Sequence, residues 1–290
     1  MKYLAIIALM LLPLTAAKAQ TSSDSARYEQ AYHLYEVGRI HDAVTLAKQI
    51  PTEKGRLLVA LCRERQGFDR AAAHIYKKLI ADGNAMAAYY YAAKLFRGGH
   101  LDKAEQTVQQ AITLDRNIPE SHLLLASIMA TKGERYKAML PLYYFLLIND
   151  NTDNQRLAHR QLVVLWRKSA KVIRMINTQT EQTDFDLNTE RYIDSIATSD
   201  SIASLEGSEA IAELSRLTQL LLAHLLDTSE ENLDFWQVTY TDFLVKLVPR
   251  NFVEPYVRYI SDATYHPQVL EWINDNQHLF NEFQLWMTAQ

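Results

Sequence analysis

The chain has 290 residues, a formal net charge of −4 and 48% hydrophobic residues. Length and apolar content allow one or two domains with ordinary cores. The mild acidity argues against a nucleic-acid partner, which needs a basic footprint. Cys62 is the single cysteine, so no internal disulfide can form.

The N-terminus, MKYLAIIALMLLPLTAAKAQ, has one early cation, Lys2, then an apolar run over residues 3–14. The run is shorter than the ~20 residues of a membrane span. Ala17-Lys18-Ala19 supplies small residues where a signal peptidase reads them, so residues 1–19 are expected to be a secretory signal cut between Ala19 and Gln20. Cleavage would remove Lys2 and Lys18 and take the charge to −6. The expectation is an exported chain, periplasmic or extracellular, with no integral membrane segment after processing.

Residues 24–150 carry four copies of one spacing: Ala31-Gly38-Ala43, Ala60-Gly67-Ala72, Ala92-Gly99-Ala104 and Ala126-Gly133-Ala138. Within each triad the steps are seven and five residues, and successive glycines lie 29, 32 and 34 residues apart. A period of this size signals stacked helical hairpins. Glycine ends the first helix because the turn needs a positive φ. Alanines let the two helices approach closely. Apolar residues recur at helical spacing around the turns, as in Leu34, Val37, Val44 and Ala47. Cys62, in LLVALCRERQG, is expected as a small buried hydrophobe of such a helix.

The four registered triads resemble the tetratricopeptide repeat (TPR) family. The large residue expected four positions after the last alanine is met by Tyr76, Val108 and Leu142, while the first copy has Ala47. Pro119 fits the closing proline. Pro51 comes early and is expected to shorten the second helix of copy one. The early Trp and Tyr of the family pattern are not kept. The resemblance implies an all-α solenoid, spanning residues 20–178, that binds a segment of another protein on its concave face. By the family's geometry Tyr28, Tyr32, Tyr35, Leu57, Leu61, Met86, Tyr89, Tyr90, Phe96, Arg97, Leu123 and Ser127 would face inward. The Lys and Asn clamp that some members use is replaced by Tyr28, Tyr32, Leu58, Met86 and Tyr90, so that clamp is not carried over. An aromatic groove suits protein recognition. The same side chains can instead pack between hairpins, or lie under the C-terminal helices.

Residues 153–177 read as one long helix. Leu162, Leu165, Trp166, Val172, Ile173 and Ile176 form its apolar face, and Arg156, Arg160, Arg167, Lys171 and Arg174 a basic stripe opposite. The stripe is either solvated, neutralised within the chain, or a surface for an acidic partner or lipid headgroups. Residues 179–204 are read as an acidic polar linker, partly mobile and able to neutralise that stripe. Residues 205–290 read as a helical C-terminal unit, similar to the tails of some secreted bacterial TPR proteins. Ile211, Leu214, Leu217, Leu221 and Leu225 give one helix. Thr228 with Glu231 is expected to cap the next, which carries Leu233, Trp236, Tyr240, Phe243 and Leu247 and ends at Pro249. Short aromatic-rich helices follow.

No H-E-x-x-H, G-x-S-x-G or G-x-G-x-x-G occurs, no cysteine pairs with a histidine at zinc spacing, and the Asp184/Asp186 pair lacks the rest of a calcium loop. Neither metal nor cofactor is expected. The reading is an exported binding or assembly scaffold rather than an enzyme. Two alternatives are a glycan or cell-wall binder, and an enzyme whose catalytic groups are remote in sequence.

Overall fold

A computed structural model describes residues 23–167, 183–197, 205–228 and 234–289. The signal-like segment, Lys171, Arg174 and the apolar positions Val172, Ile173, Ile176 and Leu233 lie outside these residues. Among the described residues the chain is all-α, without strands, and consecutive helices pack as hairpins in the manner of an α-solenoid. Two compact units divide between Lys94 and Leu95.

The first unit holds α1 (23–36), α2 (Ile40–Ala47), α3 (Glu53–Arg65), α4 (Asp69–Ala81) and most of α5 (Ala85–Arg97). The triad pattern has the physical basis expected of it. Gly38, Gly67, Gly99 and Gly133 have φ of +82°, +79°, +75° and +83°, a region costly for any residue with a Cβ. The eight triad alanines are buried. Helix α2 stops after eight residues, ahead of Pro51, which disfavours helical geometry in the residue before it. Thr52 then caps α3 by accepting from the Gly55 amide. Gly55 has a second reason to be glycine: a Cβ there would sit 2.4 Å from the Ile50 carbonyl oxygen. Cys62 is fully buried, and burial pushes its thiol up to about 11, so it is no ready nucleophile.

The second unit holds α6 (Leu101–Leu114), α7 (Pro119–Lys132), α8 (Arg135–Ile148), α9 (Thr152–Arg167), α10 (Asp184–Ile196) and α11 (Gly207–Thr228). A compound turn follows: a π-helical stretch Gln237–Thr241, one α turn Asp242–Leu244 and one 3-10 turn Val245–Leu247. Helices α12 (Val253–Asp275) and α13 (Gln277–Met287) close the chain. Helix α8 is the centre. From Ala138 to Ile148 it is apolar on all sides (AMLPLYYFLLI), as a helix enclosed by neighbours must be, and α7, α9, α10 and α12 all pack on it. The Tyr143 hydroxyl at its middle bonds Thr218 of α11 at 2.7 Å and accepts from the Trp166 indole of α9 at 3.2 Å. Tyr256 of α12 donates to the Tyr143 carbonyl at 2.8 Å.

One local expectation is corrected. The segment read as a linker contains α10, which opens on a capping box between Thr183 and Asp186. Thr228 ends α11, its hydroxyl donating to the His224 carbonyl, and its expected capping partner Glu231 lies outside the described residues. In the aromatic-rich tail α12 is two shorter helices joined across a kink at Tyr265, φ −131° and ψ 40°, two residues before Pro267.

Candidate functional site

In the first unit the tyrosines of α1 and α5 come together. Tyr28 and Tyr32 stack with ring centroids 6.0 Å apart, and Tyr32 and Tyr35 at 6.1 Å. Their positions, four and three residues apart, put them on one face of α1. On α5, Tyr89 and Tyr90 are adjacent and tilted, 5.0 Å apart. Burial pushes the Tyr90 hydroxyl up to about 12, with Tyr32, Tyr89, Tyr28 and Tyr35 each adding to the rise. That mutual influence places the five phenols in one neighbourhood. Burial also raises Tyr28 and Tyr35. All five are only half-buried. Cations edge the cluster: the Arg65 guanidinium lies 4.3 Å from the Tyr35 ring centroid and donates to the Tyr35 carbonyl, and Lys54 lies 5.9 Å from the Tyr28 ring.

The other expected groove residues behave differently. Leu61 is buried in the first unit's core, and Met86 is half-buried against that core. Phe96 is half-buried and Arg97 exposed, and both belong to the second unit. Tyr28, Tyr32, Tyr35 and Tyr90 also rest partly on the core, so each ring combines a packed edge with an exposed one.

The basic stripe is described for Arg156, Arg160 and Arg167, all exposed. Arg156 is committed within the chain, donating to the Ala263 carbonyl at 2.7 Å and pairing with Asp153 at 3.5 Å. Acidic residues of α10 grip α8. Glu190 accepts from Arg135 Nε at 2.9 Å and from the Tyr136 amide at 2.8 Å, and Asp194 pairs with Arg135 at 2.8 Å. Asp186 pairs with Lys137 at 3.0 Å and accepts from the Tyr136 hydroxyl. Burial pushes the Glu190 carboxyl above its ordinary value despite the pull of Arg135. For Asp186 burial also opposes ionisation, but Tyr136, Lys137 and the Thr183 amide together hold it below its ordinary value. This is a structural clasp, not a surface.

A second site, in the second unit, was not anticipated. An open cleft of about 700 Å3 lies among the α6–α7 loop, the end of α8, the compound turn, α12 and α13. Its rear is built by an ordered chain. The Arg116 carbonyl can only accept, so His122 Nε2 donates to it at 2.9 Å, and Nδ1 accepts from the Tyr240 hydroxyl at 2.7 Å. Burial, reinforced by the nearby Arg116 guanidinium, brings His122 down to about 4. The π-helical stretch carries Tyr240 inward, against His122 and Tyr144. Such stretches are rare and frequent at functional sites. The sequence held one signal for this region, the aromatic density of residues 235–286, and that signal is equally one of core.

No protein-family model matches this chain, and no curated protein matches it in sequence. Among the described residues, no helix is long and apolar enough to cross a membrane.

Proposed function

We propose that this protein is an exported, TPR-type binding scaffold that recognises a segment of another protein. The observation that carries the reading is the tyrosine cluster of α1 and α5: five half-buried phenols in one neighbourhood, flanked by Lys54 and Arg65. Tyrosine offers large contact area, few rotatable bonds and a hydroxyl, the combination enriched at protein interfaces. The rings are already ordered by stacking, which lowers the entropy lost on binding. The TPR resemblance and the secretory-type N-terminus support the repeat family and the export.

The test is a photocrosslinking amino acid at position 32 in the full chain, in the cell that produces it. One discrete protein adduct, lost when Tyr89→Ala is added and helicity is unchanged, is the expected result. Adducts spread over abundant proteins, or one insensitive to Tyr89→Ala, would overturn the proposal. Retention of the purified chain on peptidoglycan, lost with the same substitution, would favour the glycan alternative instead.

A further inference from the structure

The cleft of the second unit is independent of the tyrosine cluster. Its volume of about 700 Å3 lies in the range of small-molecule sites. Two cations line it, Arg116 and Lys246, against one carboxylate, Asp242. Neither cation has a carboxylate within ion-pair distance among the described residues, and Asp242 is engaged by the Gln237 side-chain amide. Arg116 is nevertheless held in place. Its guanidinium lies 4.8 Å from the Tyr144 ring centroid and donates to the Thr239 carbonyl at 3.2 Å. A held guanidinium keeps its remaining N–H groups as a preformed fork for a carboxylate.

The rest of the lining includes four aromatic rings, Tyr144, Phe243, Tyr259 and Phe283. Phe243 stacks on Trp286 at 5.8 Å and meets Tyr144 edge-on at 6.2 Å. Tyr259, on α12, faces Phe283 at 6.4 Å and stays 40% exposed. A gap left by imperfect packing would be apolar, without two cations converging from the α6–α7 loop and the compound turn.

We propose that this cleft binds a small aromatic carboxylate, its acid group held by Arg116 and Lys246 and its ring seated against Phe243 and Tyr259. The charge excess selects the acid and the fixed rings select a planar body.

Isothermal titration of the full chain with 3-phenylpropionate, and with its neutral amide, tests this. The acid should bind and the amide should bind about tenfold more weakly or worse, since a hydrogen-bonded charge is lost. Lys246→Gln and Arg116→Gln should each weaken the acid by a similar factor while leaving the amide unchanged. Raised salt should weaken the acid alone. Equal binding of acid and amide, no detectable binding of the acid, or acid binding unchanged in Lys246→Gln would overturn the proposal. Lys246 is exposed, so its substitution decides the matter even if Arg116→Gln disturbs folding.

Discussion

Gly55 and Gly67 are constrained for different reasons, and only one of those reasons can be read from the sequence. Gly67 needs its positive φ and has open space around its missing Cβ. Gly67→Ala should therefore cost about 1 kcal/mol, the backbone term alone. Gly55 has helical geometry, but an added Cβ meets the Ile50 carbonyl, a backbone atom that cannot swing aside. Gly55→Ala should cost more, about 3 kcal/mol. Urea denaturation of the two variants checks the order; equal costs would refute the close approach. His122 and His159 carry the pH dependence at this scale. Burial lowers both to about 4, below the unfolded value of about 6.5. Between those values the unfolded chain binds more protons, so stability is full above about pH 6.5 and is lost as pH falls towards 4. Each histidine contributes a loss of order 3 kcal/mol. Denaturation midpoints across this window should fall in the wild type, and fall less in a His122→Gln, His159→Gln double variant.

At the scale of elements, α10 shows what hydrophobic periodicity cannot find. Its buried face is Asp186, Thr189, Glu190 and Ile193, three polar residues and one apolar. Composition makes it look like a solvated linker. Its burial makes sense only once Arg135 and Lys137 of α8 are set against it, about fifty residues away in sequence. Removing one partner leaves the other buried and uncompensated. Glu190→Leu should therefore destabilise by about 3 kcal/mol or more. The double variant Arg135→Met, Glu190→Leu should recover much of that loss, since an apolar pair can replace a buried ion pair. Chemical denaturation of the single and double variants measures the coupling; additive losses would argue against the clasp. By contrast α11 was legible, because Ile211, Leu214, Leu217, Leu221 and Leu225 are all buried and their spacing alone defines the face.

At the scale of the molecule, the two units are held together internally in different ways. The first is made of sequence-local hairpins. The second depends on distant pairs: Tyr143 with Thr218, Tyr256 with Tyr143, Arg156 with Ala263 and His159 with Ser261. Tyr143→Phe removes the hydroxyl that joins α8, α9 and α11 and leaves the Thr218 hydroxyl and Trp166 indole unsatisfied, at a cost of about 1–3 kcal/mol. Hydrogen exchange should report faster opening in the second unit and unchanged protection in α1–α4. Loss of protection in both would mean that the units unfold as one.

The repeat framework was determined by the sequence alone. A positive-φ turn, an alanine where helices meet and a 3.6-residue apolar period are local requirements, met by residues within about twenty positions of one another. The signal that brought the α1 tyrosines onto one face was of the same kind. Tertiary structure alone decided the rest. It buried Leu61, turned an acidic stretch into the clasp on α8, and drew Arg116, Tyr144 and Lys246 to one cleft across more than a hundred residues. Charge pairs and cavity walls have no period, because what selects them is a partner's position in space rather than a place along the chain.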